Sequence, residues 1–310
     1  MTVVTGPTRR DLVAELAEVV GAPHEARFIV DEVLGLGLPL GHANPPAGPL
    51  GADAIAAARD MAARRAAGEP LQYVLGHWPF RTLDLVVDQR VLIPRPETEQ
   101  VVEVALAEAR RLGRDTGGSP EGGLVAVDAG TGSGAIALAL AAELEHPALR
   151  EVWATDTSAD ALAVAAANLQ ARRTAGAGDV PRMELVRGRW LEALPASLRG
   201  ALDLVVSNPP YVAESEWAGL AAEVHAEPRR ALVAGPGSDG TAGLADVEAV
   251  LVQARQWLAR PGTAVVELAP HQAGAGEGLA RRLGFDDVRV EPDLARRPRA
   301  LVARLAGEPH

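Results

Sequence analysis

The sequence predicts an α/β protein: a Rossmann-like, doubly wound sheet of seven strands, preceded by a small helical domain. Three features predict the sheet. Short apolar runs alternate with segments of helical period from Leu124 onward. A glycine-rich turn, residues 130–134, leaves the first run, and Asn-Pro-Pro-Tyr, residues 208–211, ends the fourth. Strands one and four are neighbours where such a sheet reverses direction, so we expect both turns to face one crevice.

Length, charge and cysteine content narrow the class of protein. The chain has 310 residues, which allows one large domain and a smaller one. Its net charge of −11 argues against a protein that mainly grips nucleic acid, and no apolar run or signal peptide indicates a membrane partner or export. The absence of cysteine excludes disulfides, thiolate metal sites and cysteine nucleophiles. We expect a cytoplasmic monomer without a metal site.

The first 75 residues are predicted to form a helical bundle. Thr8 and Asp11 have the spacing of a capping box at the start of one helix, and Pro23 can open the next. A third helix is expected from Asp53 to Ala67, after a Pro- and Gly-rich loop from His42 to Gly51. Because no catalytic constellation occurs here, we expect this domain, residues 1–75, to recognise a partner.

A short hairpin, residues 76–92, is predicted to link the bundle to the sheet domain, residues 93–310. Phe80 to Val87 has the alternation of a β-strand. Arg95 then lies between two prolines on a stiff, extended segment that leads into a helix. Gly113 to Gly123 is expected to be a flexible connection between that helix and the first strand of the sheet.

The turn after the first strand of the sheet has the composition of a ligand-binding loop. Its glycines allow the backbone to approach a ligand, and the following helix offers free N–H groups at its N-terminus. Asp156 ends the second strand about 20 residues further on, where an acid commonly accepts hydrogen bonds from ribose hydroxyls. Trp190 follows the third strand and could flank an adenine, although ordinary packing explains it nearly as well.

Asn-Pro-Pro-Tyr ends an apolar strand, Leu202 to Ser207, and presents hydrogen-bond acceptors. Its two prolines have no N–H group and hold the chain extended, so the Asn208 side chain and the nearby carbonyls form a rigid set of acceptors. Such a set suits a substrate with an NH2 group, either an amide or an exocyclic amine, and Tyr211 could cover a planar group. A simple strand-ending turn is the alternative interpretation.

Taken together, these segments resemble the release factor glutamine methyltransferases (the PrmC/HemK family). The likeness rests on the glycine turn, Asp156, Asn-Pro-Pro-Tyr and Ile93-Pro94-Arg95-Pro96-Glu97-Thr98-Glu99, and it extends from about Gly68 to Arg304. It implies the class I methyltransferase fold and S-adenosylmethionine as cofactor. It also implies a protein partner, the peptide chain release factor, whose Gly-Gly-Gln motif carries the glutamine to be methylated.

The resemblance implies roles for individual residues. The implied catalytic residues are Asn208, Pro209, Pro210 and Tyr211. The implied cofactor-binding residues are Asp128, Gly130, Thr131, Gly132, Ser133, Gly134, Asp156, Trp190, Asn208 and Arg95. Asn208 Oδ1 and the Pro209 carbonyl would accept the two amide hydrogens of the glutamine, and Tyr211 would pack over its side chain. Arg189 departs from the family, whose members often carry at this position an Asp that contacts the adenine amine.

Three other functions compete with this one. Asn-Pro-Pro-Tyr also occurs in methyltransferases for an exocyclic amine of adenine or guanine in DNA or RNA, but these need a basic surface and usually a sizeable recognition insert. A cofactor-binding scaffold without catalysis would not need acceptors that face an amine. A nicotinamide dehydrogenase could use the glycine turn, but the sequence shows no acid–base pair for hydride transfer.

Overall fold

The N-terminal part of the chain is a helical bundle, as predicted. The computed structural model describes residues 6–37, 48–115, 123–144, 149–174 and 181–307, so most of the loop predicted from His42 to Gly51 lies outside the described residues. The bundle helices are α1 (Arg9–Val20), α2 (Pro23–Val33), α3 (Ala52–Ala66) and α4 (Leu71–Leu75). Thr8 and Asp11 form the predicted capping box of α1, and Pro23 opens α2. Buried leucines, isoleucine and alanines from all four helices form one apolar core.

A two-stranded hairpin follows the bundle, and it corrects one prediction. β1 (His77–Phe80) pairs with β2 (Leu83–Val86) in antiparallel register. The prediction of one strand from Phe80 to Val87 is therefore wrong, because the chain turns at Arg81 and Thr82. This turn has none of the Gly, Pro or Asn residues that mark most tight turns in a sequence.

Long-range contacts hold Arg81 in the turn conformation. Its φ of 54° is left-handed, which is unfavourable for a residue with a Cβ atom. Its guanidinium forms two hydrogen bonds of 2.6 Å with the Glu143 carboxylate and one of 2.9 Å with the Glu99 carbonyl. The hairpin turn is thus stabilised by residues far away in the sequence.

His77 joins the hairpin to the bundle. One ring nitrogen lies 2.6 Å from Asp84 Oδ1 on β2, and the other lies 2.8 Å from Glu32 Oε2 on α2. The hydrogen bond with Asp84 and the one with Glu32 favour the imidazolium and raise the pKa of His77 to about 9, although burial opposes the rise. Because the folded-state pKa is raised, this stabilisation is fully present below about pH 6.5 and is lost as the pH rises through about 9.

We therefore expect His77→Gln to destabilise the protein in a pH-dependent way. The loss should be about 1 kcal/mol near pH 6, because Asp84 is 66% exposed and such pairs are screened by solvent. Thermal unfolding of wild type and variant between pH 6 and 10 measures the difference, with His24→Gln on the exposed side of the bundle as control. A difference in melting temperature that stays constant up to pH 10 would contradict the ion-pair role.

The sheet domain alternates strands and helices in the predicted order. Its elements are α5 (Pro96–Asp115), β3 (Leu124–Ala129), α6 (Ala135–Glu143), β4 (Leu149–Asp156), α7 (Ala159–Thr174), β5 (Arg182–Arg187), β6 (Leu202–Ser207), β7 (Val212–Ala213), β8 (Val233–Ala234), α8 (Ala245–Trp257), β9 (Leu258–Glu267), α9 (Ala273–Arg282), β10 (Asp287–Pro292) and β11 (Pro298–Leu305). α5 continues through Gly113, so the connection begins later than predicted. A single glycine costs a helix only about 1 kcal/mol, and burial of Leu112 on the same turn favours continuation.

Seven strands form the main sheet in the order β10-β11-β9-β6-β3-β4-β5. All neighbours are parallel except at β11, which runs antiparallel to both β9 and β10. Leu124 and Ala126 of β3 pack against α5 and α6, whereas Val125 and Val127 belong to the core on the other face, with α8 and α9. The predicted doubly wound sheet is confirmed. In the part of the chain that the structure describes, every helix is too short or too polar to cross a membrane.

A buried carboxylate ties α5 to the antiparallel edge of the sheet. The side chain of Glu108 is 3% exposed and accepts hydrogen bonds of 2.6–2.8 Å from Arg304 and Arg289 and one of 3.0 Å from Arg111. Burial alone would raise the pKa of Glu108, but the hydrogen bonds from the three arginines outweigh it and lower the pKa to about 2. The cluster therefore fixes the helix that precedes β3 against β10 and β11.

Candidate active site

The two predicted turns meet at the carboxyl ends of neighbouring strands. β3 and β6 pair in parallel with Asp128 opposite Val206, so the glycine turn and Asn-Pro-Pro-Tyr leave the sheet side by side. A hydrogen bond of 2.5 Å from Ser207 Oγ to the Ala129 carbonyl joins the two strand ends. A cavity of about 310 Å³ lies there, and its walls include Gly130, Gly132, Asp156, Trp190, Asn208 and Pro210. The predicted convergence of both turns on one crevice is confirmed.

The glycine turn has a backbone that other residues adopt with difficulty. Gly130, Gly132 and Gly134 have φ values of 81°, 54° and 86°. A Cβ on Gly130 would lie 2.9 Å from Cζ3 of Trp190, whereas a Cβ on Gly132 would meet nothing within 4 Å. Gly130 therefore allows the indole to pack against the turn, and Gly132 leaves its side of the cavity open.

Four of the residues predicted to bind the cofactor are buried beneath the turn and do not line the cavity: Asp128, Thr131, Ser133 and Gly134. Asp128 is fully buried, and its Oδ2 accepts hydrogen bonds from Thr131 Oγ1 (2.6 Å) and the Ala137 N–H (3.0 Å). Burial raises the pKa of Asp128 to about 7. Its Oδ1 has no hydrogen-bond partner among the described residues.

Asn168 of α7 also holds the glycine turn, and sequence reasoning missed it. Its Nδ2 donates to the Ser133 carbonyl at 2.9 Å and to the Val86 carbonyl at 3.1 Å, and its Oδ1 accepts from the Val86 N–H at 2.7 Å. The side chain thus connects the turn to the hairpin. A lone Asn inside a helix gives little sequence signal of such a role.

Asp156 ends β4 and lines the cavity with an oriented carboxylate. Oδ2 accepts a hydrogen bond from the Gly132 N–H (3.0 Å), and Oδ1 accepts one from the Ser158 N–H (2.8 Å). A carboxylate has about four lone-pair sites, so two remain for the hydroxyl groups of a ligand. The position agrees with the predicted role as an acceptor.

Trp190 serves both packing and the cavity wall. It is 8% exposed, belongs to the apolar core on one face of the sheet, and has a left-handed φ of 52°. Next to it, Arg189 Nη2 lies 3.5 Å from Asp246 Oδ1, and both of these side chains also line the cavity. Burial raises the pKa of Asp246. Asp246, on the first turn of α8, is a cavity carboxylate that sequence reasoning missed.

The residues of Asn-Pro-Pro-Tyr are not equivalent in the structure. Asn208 and Pro210 line the cavity, whereas Pro209 is buried. Tyr211 is absent from the cavity walls, and its hydroxyl donates a hydrogen bond of 3.1 Å to Glu267 Oε1. Burial raises the pKa of this tyrosine. The structure therefore gives Tyr211 an interior partner in addition to whatever face it offers a substrate.

Arg95 does not reach the cavity. It forms an ion pair with Glu227, whose Oε2 accepts a hydrogen bond of 2.9 Å from the Ile93 N–H. The Pro-Arg-Pro segment is thus attached, through Glu227, to the loop between β7 and β8. The preceding residues Arg90, Val91 and Leu92 line the cavity instead. Within the residues that are described, no group of three or more His, Cys, Asp or Glu side chains could hold a metal ion.

Two family models match parts of this chain. Residues 120–236 match the methyltransferase small domain, and residues 8–76 match the PrmC N-terminal domain. The first match covers β3 to β8, which include both turns of the cavity. The second covers the helical bundle.

Curated relatives match most of the chain. A release factor glutamine methyltransferase of Chlorobaculum tepidum is 40% identical over 286 residues, which are 89% of this chain and 88% of that protein. Another of the same description, from Moorella thermoacetica, is 43% identical over 77% of this chain and 76% of its own length. The hMettl16 catalytic domain, crystallised with MAT2A 3′UTR hairpin 1, has a TM-score of 0.52 at 17% identity, covering 81% of this chain and 84% of that one. This last likeness concerns the fold alone.

Proposed function

The chain belongs to the release factor glutamine methyltransferases, and from this premise we propose how its cavity carries out that activity. The enzyme transfers a methyl group from S-adenosylmethionine to the side-chain amide of a release factor glutamine. We propose that this glutamine belongs to the Gly-Gly-Gln motif. We further propose that the glycine turn holds the cofactor and that Asn-Pro-Pro-Tyr holds the glutamine. The observation that supports this assignment is that Gly132 and Asn208 line the same cavity.

The cavity residues fit S-adenosylmethionine. The cavity volume of about 310 Å³ is at the small end of the range for small-molecule sites. Gly132 lets a ligand approach the backbone, Asp156 keeps free lone pairs for hydroxyl groups, and Trp190, which packs against Gly130, offers an indole to a planar ring. When bound, the cofactor supplies an electrophilic methyl group on a sulfonium.

We expect Asp156→Ala to weaken S-adenosylmethionine binding by about 10- to 100-fold, because hydrogen bonds to a charged acceptor contribute about 1.5–3 kcal/mol. Calorimetric titration of the cofactor measures the change. Asp160→Ala is the matched control, since this exposed carboxylate lies on the next helix, outside the cavity walls. Wild-type affinity in the Asp156 variant would remove this residue from the binding site.

The main task of the acceptor side is to place an unreactive nitrogen. An amide nitrogen is a poor nucleophile because its lone pair is delocalised into the carbonyl, so alignment of the reacting atoms supplies much of the rate. Asn208 Oδ1 and the Pro209 carbonyl accept the two amide hydrogens in this proposal and favour the positive charge that develops on the nitrogen. The proton leaves after methyl transfer, and the proposal assigns no general base.

The partner and the surroundings follow from the same premise. In our proposal the helical bundle, residues 1–75, contacts the release factor. The hairpin, residues 76–92, links the bundle to the methyltransferase domain, residues 93–310. The enzyme acts as a monomer in the cytoplasm, where release factors work. The net charge of −11 supports a protein substrate over a direct nucleic-acid partner.

Transfer of a labelled methyl group tests the proposed function. The enzyme is incubated with labelled S-adenosylmethionine and one of three acceptors: a purified release factor, its Gln→Ala variant, and duplex DNA. We expect label only in the release factor that retains its glutamine. Label in the Gln→Ala variant would move the acceptor to another residue, and label in the DNA would replace the proposal with methylation of an exocyclic amine.

A further inference from the structure

A buried hydrogen-bond chain runs from Asn208 into the protein interior. Asn208 Nδ2 donates to Thr98 Oγ1 at 3.0 Å, and the Thr98 hydroxyl donates to Glu267 Oε2 at 2.7 Å. Thr98 is 4% exposed and Glu267 is fully buried. The three residues come from the end of β6, the first turn of α5 and the end of β9. The chain is thus part of the fold and needs no ligand to form.

The chain has a direction because a hydroxyl has only one hydrogen. Glu267 as a carboxylate can only accept, so it takes the hydrogen of Thr98. The Thr98 oxygen then offers a lone pair to Asn208, and only the NH2 side of the Asn208 carboxamide can use it. With the amide reversed, two acceptor oxygens would face each other and the NH2 group would lose its buried partner, which costs about 1–3 kcal/mol.

Hydrogen-bond donors and a positive charge surround the buried Glu267 carboxylate. The Tyr211 hydroxyl donates to Oε1 at 3.1 Å, and the Arg299 guanidinium lies 3.9 Å from the same oxygen. Burial raises the pKa of Glu267, and the hydrogen bond from Thr98, the charge of Arg299 and the hydrogen bond from Tyr211 oppose that rise. Donors therefore approach both oxygens of this carboxylate.

We propose that Glu267 and Thr98 are positioning residues that turn the oxygen of the Asn208 carboxamide toward the cavity and thereby make the site select a carboxamide over a carboxylate. The inference rests on the proposed function, in which Asn208 faces the substrate glutamine. A carboxamide oxygen that faces the cavity accepts a hydrogen bond from the NH2 group of glutamine, but it repels the carboxylate oxygens of glutamate. If the NH2 group of Asn208 faced the cavity instead, the site would prefer glutamate. This orientation therefore decides between glutamine and glutamate, whose side chains have nearly the same shape.

The test compares how the enzyme treats Gln and Glu at the acceptor position of one release factor. For each enzyme variant, kcat and KM are measured with the release factor, and its Gln→Glu form is assayed as an inhibitor. Both forms share the remaining interface, so the ratio of Ki to KM isolates the acceptor side chain. We expect wild type to prefer Gln, and Thr98→Val, which keeps the shape without the hydroxyl, to lose on the order of tenfold in both kcat and this preference.

Further variants separate orientation from folding. Thr98→Ser restores the hydroxyl and should recover most of the rate and the preference. Glu267→Gln can present either an oxygen or an NH2 group to Thr98, so it should also reduce the preference for Gln even if Thr98→Val fails to fold. Thr174→Val on the surface of α7 controls for the loss of a hydroxyl. S-adenosylmethionine titration reports the fold of each variant.

The outcomes distinguish this inference from the proposed function. If wild type does not methylate the release factor, the proposed function fails. If wild type methylates it and a folded Thr98→Val or Glu267→Gln variant keeps the full preference for Gln over Glu, only the orienting role is overturned. A reduced preference with cofactor affinity unchanged supports the role, because a residue that merely stabilises the fold would not alter it.

Discussion

Replacing Asn208 with alanine is expected to lower kcat by about 10²–10³-fold. This is the usual loss when one preorganised polar contact to the reacting group is removed from an active site. Asn208 lies at the end of β6, lines the cavity and is held through Nδ2 by Thr98, so the proposed contact with the substrate requires no reorganisation of its oxygen. In the proposed mechanism the Asn208 carboxamide faces the acceptor amide, whereas Asp156 and the glycine turn hold the cofactor in the same cavity.

Steady-state kinetics with the release factor as substrate measure this effect, and calorimetry with S-adenosylmethionine supplies the control. We expect cofactor affinity to fall far less than kcat, since the proposal assigns the Asn208 carboxamide to the acceptor amide and the main cofactor contacts to Asp156 and the glycine turn. Gln170→Ala on the exposed face of α7 controls for loss of a carboxamide. An unchanged kcat with intact cofactor binding would refute the role of Asn208.

Replacing Glu108 with glutamine is expected to give the largest loss of stability. The folded-state pKa of about 2 lies below the ordinary value of 4.5, so ionised Glu108 stabilises the fold above about pH 4.5, and this stabilisation is lost as the pH falls toward 2. The shift corresponds to about 3 kcal/mol at neutral pH. Glutamine also leaves Arg289, Arg304 and Arg111 without their shared carboxylate.

Urea unfolding followed by tryptophan fluorescence, repeated from pH 7 to pH 3, measures the free energy of unfolding. The wild type should lose stability relative to the variant as the pH falls below about 4.5, so the two curves converge. Glu103→Gln is the matched control on the same helix, because this side chain is 56% exposed and its pair with Arg81 should contribute no more than about 1 kcal/mol. A pH-independent difference would contradict the ion cluster.

Local patterns in the sequence were sufficient to predict the architecture and the meeting of the two turns. Apolar runs and capping residues lie within the elements they specify, and the order of a doubly wound sheet places β3 beside β6. The turn at Arg81 escaped prediction because its conformation depends on Glu143 and Glu99, which are distant in sequence. Gly113 was misleading for the opposite reason, since tertiary burial of the helix outweighs one unfavourable residue.

The interior partners of the site were not predictable from local patterns. Arg95 and Tyr211 lie in motifs that suggest ligand contacts. In the structure, however, the Arg95 guanidinium pairs with Glu227, and the Tyr211 hydroxyl donates to Glu267. Glu267 did leave a signal, because it is an acid directly after the apolar run Ala264-Val265-Val266. Reading that signal requires the knowledge that β9 lies next to β6, which comes from the fold.

The parallel pairing of β3 with β6 has a consequence for how such enzymes diversify. In the proposed site the donor half follows β3 and the acceptor half follows β6, and ladder hydrogen bonds fix the spacing between these two strands. Mutations after β6 can therefore explore new acceptors while the donor half is inherited intact.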